Sequence, residues 1–339
     1  EPPYERVSTH GMVVSEDGSR FSKTGFMIRF DEAADIIGAD ASRYIFASSS
    51  TSNDVRFGFN LGDEAKRKLL ALWNAYDKEH AESAQFWFQT AKDALEKVEA
   101  VYGDLSQYSL EDLKFKHKNT AERIFEIQHT YVSGQLSYYS NLAPSCMPSY
   151  KSETNLFDGV AIPELGTEFK SNIVSRPTKY FYQEVQPKGG NDLRIDLNMG
   201  IRYNGQEFTN GKKTPWMGPK FWCPNFQATN DGNNYKLYRY ADALLMKAEC
   251  LHAIGDYQGA LNYLNKTRMR AGLVEFTDQT PETLMFEIMI ERGKELFGEF
   301  QSKFDLVRWG EFVDKVKENT DYAPVRNAIK PCHAYYPIP

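Results

Sequence analysis

Residues 234–273 read NYKLYRYADALLMKAECLHAIGDYQGALNYLNKTRMRAGL. Two segments with helical periodicity stand back to back in this stretch. Ala241, Leu244, Leu245, Ala248 and Leu251 recur at the spacing of one helix face. Gly255 and Asp256 break the pattern and supply a turn, after which Tyr257, Ala260, Leu261 and Leu264 form a facing line. Small Ala side chains at the contact positions let the two axes approach closely. The stretch therefore predicts an antiparallel helical hairpin.

Working outward, a third helix is expected from about Pro281 to Phe297, with Pro and Glu in its first turn. Its apolar line Met285, Ile288, Met289, Leu296 is interrupted by Arg292, which needs a carboxylate partner, for which Glu295, Glu299 and Asp305 are the candidates. Upstream, residues 63–103 show the same helical spacing through Leu69, Leu72, Trp73 and Tyr76, then Trp87, Ala91, Ala94, Leu95 and Val98, and close at Gly103. The segment AERIFEIQHTYV (121–132) alternates and is rich in branched and aromatic residues, so it reads as a strand. Residues 133–233 hold most of the Pro and Gly and the turns PKGGND, YNGQ and TNDGNN, which predicts an irregular, loop-rich lobe. The first sixty residues are punctuated by Ser, Gly, Asn and Asp and read as loops with brief strands or helices. The GDYxxAL pattern in the hairpin resembles tetratricopeptide repeats, whose helix pairs bury their faces only by stacking. The fold class is thus mainly α: tetratricopeptide-like hairpins forming a superhelical scaffold, with short β-strands in the loop-rich lobe.

Composition narrows the function. With 40 Lys and Arg against 46 Asp and Glu, the net charge of -6 offers no general attraction to phosphate backbones, so nucleic acid is not an expected partner. No apolar run approaches the length of a membrane-spanning helix. Cys146, Cys223, Cys250 and Cys332 are widely spaced and form no CxxC pair, leaving reduced thiols and a disulfide both open. The six His residues show neither HxxxH nor HExxH spacing, and DGNN (231–234) has too few acids for a calcium loop; no metal or cofactor is expected.

Aromatic residues make up 14% of the chain, enough to ask where the rings go. A pyranose presents an apolar C–H face that stacks on a flat ring, while its hydroxyls need amide, carboxylate or guanidinium partners. The candidates in the loop lobe are Trp216 and the Tyr138/Tyr139 pair, then Tyr150, Tyr180 and Trp222, with Asn141 and Arg194 as polar companions; Tyr182, Asn191 and Asp192 lie among them. Large rings are more often core than ligand surface, so each is weighed against simple packing. Arg239, Asp242, Glu249, Arg268, Glu291, Arg292, Asp305 and Arg308 could suggest catalysis, but charges at helix contacts read better as ion pairs that set helix orientation.

From about residue 64 onward the chain resembles the SusD/RagB family. The resemblance is carried by YRYADALLMKAE and GDYQGALNYLNKTRMRAGL, through Arg239, Tyr240, Ala241, Asp242, Leu245, Ala248, Glu249, Ala260, Leu261, Asn265, Arg268, Arg270, Ala271 and Gly272. It continues through IERGKELFGEFQSKFDLVRWGEF, with Glu291, Arg292, Glu295, Leu296, Glu299, Phe304, Asp305, Leu306, Arg308 and Trp309, and through WFQTAKDALEKV, AERIFEIQ, NDLRI and the terminal YYPIP. Each motif is weak alone; their order makes them specific. Where the family commonly has Gly and then Arg after the second Glu, this chain has Phe300 and Ser302, with Lys303 as a substitute. The resemblance implies a SusD-like domain over 61–339, with a ligand-binding lobe at 133–233, a helical region at 234–310 and an irregular segment at 1–60 outside it. It implies a lipid-anchored, cell-surface outer-membrane protein that captures oligosaccharides for a SusC-like TonB-dependent transporter and catalyses nothing. The anchor and the long N-terminal helical region are not in the given sequence, which is expected to be part of a longer protein. The alternatives are a RagB-type peptide-capturing lipoprotein, a tetratricopeptide-type protein-interaction scaffold and, more remotely, a glycoside hydrolase.

Overall fold

A computed structural model describes residues 12–22, 27–38, 41–42, 45–46, 54–66, 84–130, 139–166, 175–224 and 230–334. The chain divides into two units, Glu1–Ala94 and Leu95–Pro339. In the first unit β1 (Val13–Val14) pairs in parallel with β2 (Val55–Arg56), and α1 (Phe30–Ile36) contributes Ala33 to a small core with Ile37, Ala41, Ile45, Phe57 and Ala65. The Glu16 carboxylate accepts from Leu61 N–H and from the Asn60 amide, tying the Ser15–Ser19 turn to the segment after β2. Helix α2 (Ala84–Tyr102) runs through the division. The expected partner of α2 in a first hairpin, around Leu69 to Tyr76, lies outside the described residues, as does the terminal YYPIP.

The second unit is organised by α3 (Tyr240–Ala253), α4 (Tyr257–Arg270) and α5 (Pro281–Glu295). Gly255 takes φ +87°, a left-handed conformation that glycine adopts without a Cβ clash, and the Asp256 carboxylate accepts from Gly259 N–H at 2.9 Å to cap α4. Leu245, Ala248, Leu251, Ala260, Leu261, Leu264, Leu284 and Ile288 make one buried cluster across all three helices. The hairpin is as the spacing predicts, with one correction. α3 is not amphipathic: Tyr240 through Leu245 and Lys247 through Leu251 are buried, because α4 and α5 cover one side and Leu95, Val98, Tyr102 and Leu105 pack on another. Its polar residues are therefore interior, and each needs a partner.

A second correction concerns the entry to α3. Tyr235–Arg239 is not helical but the strand β10, paired antiparallel with β3 (Arg123–Ile127), which lies within the strand expected at 121–132. The alternating YKLYR buries Lys236 and Arg239 and turns Tyr238 outward, a period of two to three that helical counting absorbed. Beyond α5 follow α6 (Ser302–Arg308), α7 (Phe312–Asn319) and α8 (Ala323–Ala328).

Between β3 and β10 lies the loop lobe, built from two-residue strand pairs: β4 (Tyr150–Lys151) with β5 (Leu156–Phe157), β6 (Met199–Gly200) with β9 (Trp216–Met217), and β7 (Arg202–Tyr203) with β8 (Gln206–Glu207). No element there is long enough to bury a face by itself. Large rings supply the apolar area instead: Phe157, Phe208, Trp216 and Trp222 join Met147, Val160, Ile162 and Leu165 in a core of the lobe's own. That is where much of the aromatic content goes. Cys146, Cys223, Cys250 and Cys332 are free thiols.

Candidate functional site

Two polar assemblies stand out in the second unit, one sealed and one open. The sealed one lies where α3, α4 and α5 meet the loop lobe. Arg194 is fully buried and donates to Asp192 at 2.8 and 2.9 Å, to Glu291 at 2.7 Å and to Glu295 at 2.9 Å. Arg239 reaches Glu122 at 2.7 Å, Glu295 at 3.0 Å and Glu299 at 2.8 Å, while Lys220 pairs with Glu299 at 2.6 Å and Arg270 with Glu122 at 2.9 Å. Glu295 is the hub, touched by Arg194, Arg239 and Arg270. Burial alone would raise its carboxyl, but Arg270, Arg239 and Arg194 outweigh burial and hold it well below the usual carboxylate range. A neighbouring cluster joins Arg292 to Asp305 at 3.0 Å and Asp242 at 2.9 Å, and Arg308 to Asp305 and Glu249.

These contacts settle which partner Arg292 takes: Asp305, as one of the three candidates, together with Asp242 from α3, whereas Glu295 and Glu299 serve other cations. Every charge in the assembly is nine-tenths or more buried. With no opening to solvent, such a network orients helices and loops; it meets the ion-pair reading of these residues. Of the positions that differ from the family pattern, Phe300 sits at φ +66°, strained for a residue with a Cβ, and nearby Lys303 lies over the Phe312 ring.

The open assembly is a cleft of about 640 Å³ on the lobe side. One wall is the turn segment Ser109–Lys116, whose 3-10 helix Leu110–Leu113 is capped by the Ser109 hydroxyl accepting from Glu111 N–H. A second wall is the one-turn helix Ile195–Asn198 with the exposed Leu193 before it. The third is the β7–β8 hairpin, whose two-residue turn Asn204–Gly205 has φ +48° and +79°. Asn-Gly is the dipeptide that such a turn favours, since both residues need positive φ. The turn projects Tyr203 into the cleft, half-buried, with its ring tilted against Trp222 at 5.8 Å. The Tyr203 hydroxyl donates to Glu164, and burial together with that carboxylate pushes its pKa up to about 12.

The residues singled out from sequence fall in different places. Trp216 is 3% exposed, donates from Nε1 to Asp158 at 2.9 Å, and has the Arg176 guanidinium over its ring at 3.5 Å; it is part of the lobe core. Trp222 is equally buried, donates to Met217 O, and is among the cleft lining. Tyr150 packs against the same core, its ring 5.0 Å from Phe157 and its hydroxyl on Asn155. Tyr180 packs beside Phe181 and Val185 in another cluster, and Arg194 is at the centre of the sealed network. Tyr139 is 55% exposed and Asn141 is exposed, away from the cleft lining, while Tyr138 lies outside the described residues. The cleft thus gathers Trp222 alone from that set. What sequence reading missed is Tyr203; YNGQ was read only as a turn, and the ring preceding an Asn-Gly hairpin was the available signal.

A helical hairpin with a third helix packed on it, beside a loop lobe with an open polar cleft, is the arrangement to compare with known proteins. Residues 209–334 match the family model described as SusD family. A SusD-like protein, P25, of Formosa agariphila is 35% identical over 205 residues, covering 57% of this chain and 36% of that protein. The structure of surface glycan-binding protein A from Bacteroides thetaiotaomicron in complex with laminarihexaose superposes with a TM-score of 0.55 at 19% identity, over 84% of this chain and 61% of that one. The match to the SusD family covers the C-terminal part of the chain, and the chain spans about a third of the length of this curated relative. A separate short match is to isoleucine–tRNA ligase of Natronomonas pharaonis, 36% identical over 78 residues, 22% of this chain and 7% of that enzyme. So small a share of the enzyme transfers no activity.

Proposed function

We propose that the second unit binds oligosaccharides at the cell surface, outside the outer membrane, and hands them unchanged to a TonB-dependent transporter of SusC type. The observation that carries this reading is the cleft itself. It combines the Tyr203 ring and the apolar Leu110, Leu193 and Pro219 with hydroxyl partners such as Asn204, as a sugar's two kinds of face require. Support comes from the fold shared with a glycan-binding protein that holds laminarihexaose. In this reading the sealed ion network is scaffold, and no residue of the chain acts as acid, base or nucleophile. Among the described residues no helix is long and apolar enough to cross a membrane, so attachment to the surface is assigned to a lipid anchor.

The test is calorimetry of the purified chain against a panel of oligosaccharides and peptides. Saturable binding of an oligosaccharide, abolished or much weakened by Tyr203→Ala, is expected. Binding of peptides alone would replace this reading with peptide capture, and release of reducing ends by the purified chain would replace it with hydrolysis.

A further inference from the structure

Two of the three cations lining the cleft, Lys114 and Arg202, are closed on carboxylates of the same lining; Lys116 is the third. Lys114 pairs with Glu111 on the same turn. Arg202 donates to Asp196 from Nε at 3.0 Å and from Nη2 at 2.9 Å, spanning β7 and the short helix. The third carboxylate, Glu164, accepts from the Tyr203 hydroxyl. Among the described residues the lining holds Lys114, Lys116 and Arg202 against Glu111, Glu164 and Asp196, a formal charge of zero. An anionic ligand would lose hydration on entry and gain no net field in return, and apart from Lys116 it would have to break an existing pair to obtain a guanidinium or ammonium.

We infer that this cleft selects neutral oligosaccharides over uronate-containing or sulfated ones; the inference rests on the reading of the cleft as an oligosaccharide site. The paired carboxylates and cations serve as fixed acceptors and donors for hydroxyl groups, which need no net charge. The ring and aliphatic surfaces meet the C–H faces. Selectivity comes from closure of the charges on themselves, and a single substitution opens it. Glu111→Gln leaves Lys114 without its carboxylate and gives the lining one surplus positive charge.

The experiment titrates the whole chain with three hexamers of equal length: laminarihexaose, maltohexaose and hexagalacturonate. A neutral hexamer is expected to bind at least about tenfold tighter than hexagalacturonate. Its affinity should change less than about twofold between 0.05 and 0.5 M NaCl, since screening acts only on net charge interaction. Glu111→Gln is then expected to raise hexagalacturonate affinity by about fivefold while leaving the thermal melt in place. Tighter binding of hexagalacturonate by the unsubstituted chain, or an affinity for the neutral hexamer that falls steeply with salt, overturns the selectivity. If no hexamer binds while a peptide does, the oligosaccharide reading itself fails and the selectivity falls with it.

Discussion

The helical hairpins and the loop lobe of the second unit manage charge in opposite ways. Around α3, α4 and α5 the cations and carboxylates are buried and shared among several partners, with Glu295 alone meeting three arginines. At the cleft the pairs are exposed and two-membered: the Arg202 and Asp196 side chains are each 46% exposed. Buried pairs are costly to break because the orphan cannot recruit water, whereas exposed pairs contribute little and can rearrange. The first arrangement fixes where elements sit; the second leaves a surface able to exchange partners with a ligand. Substitutions in the two regions should therefore separate stability from binding.

The largest effect is expected at Arg239. Arg239→Ala removes the guanidinium that joins Glu122, Glu295 and Glu299, leaving Arg270 on the first two and Lys220 on the third, a loss of about 3–5 kcal/mol. Chemical denaturation would show it as a lowered midpoint. A change under about 1 kcal/mol would mean that water or a shifted Arg270 replaces the guanidinium, and the contrast between sealed and open pairs would not hold. Trp216→Ala follows, at about 3–4 kcal/mol, since it removes a core ring and one of the hydrogen bonds to Asp158, which keeps those from Asn210. Should that variant keep the native melt and lose only ligand, Trp216 would be a binding platform after all.

Acid should weaken the fold through the network. For Asp305, burial alone would raise the carboxyl, but Arg292 and Arg308 outweigh it and hold it low; Glu299 is held low against burial by Arg239 and Lys220. A folded-state pKa below the unfolded value, about 4 for Asp and Glu, means stability that is complete above that pH. It is lost as pH falls through the depressed folded values, because the unfolded chain then binds protons that the folded chain refuses. The melting temperature should therefore hold from pH 7 to about pH 5 and drop steeply below about pH 4. In Glu295→Gln, which removes the hub, the native state should already be weakened at neutral pH and the acid limb should be shallower.

How much of this was legible follows the same division. The hairpin was readable because Ala241 to Leu264 repeat at helical spacing over four turns and Gly255–Asp256 interrupt them once. β10 was not, because five residues flanking a strong helix pattern carry too little periodicity to stand apart from it. The ion pairs were readable as a class but not as partners, since Asp242 is fifty positions from Arg292 and only the packing of α3 on α5 joins them. In the lobe, sequence offered many rings and no rule for sorting core from surface. Trp216 and Trp222 look like binding residues because they flank turns, yet those turns are what folds them inward onto Phe157 and Phe208. Tyr203 escaped notice for the converse reason: it is one ring among 20 tyrosines, and only the hairpin's geometry aims it into the cleft.

At the cleft, Tyr203→Ala should cost binding about tenfold or more while moving the melt by less than about 1 kcal/mol, the reverse of the Arg239 result. The smallest expected effect is at Gly205, and it probes whether hairpin shape alone matters. At φ +79° an added Cβ meets no atom within 4 Å, so Gly205→Ala introduces no clash and acts only through backbone strain. That strain is about 1 kcal/mol, local to a two-residue turn at the surface. The strand pair can relieve it by rotating the turn, and because Tyr203 immediately precedes the turn, rotation moves the ring. Oligosaccharide affinity should fall by a few fold with the melt nearly unchanged. Gly205→Asn restores a residue tolerant of positive φ and should recover most of the affinity; recovery by Asn but not by Ala would place the effect in the turn's conformation and not in the bulk of the added side chain.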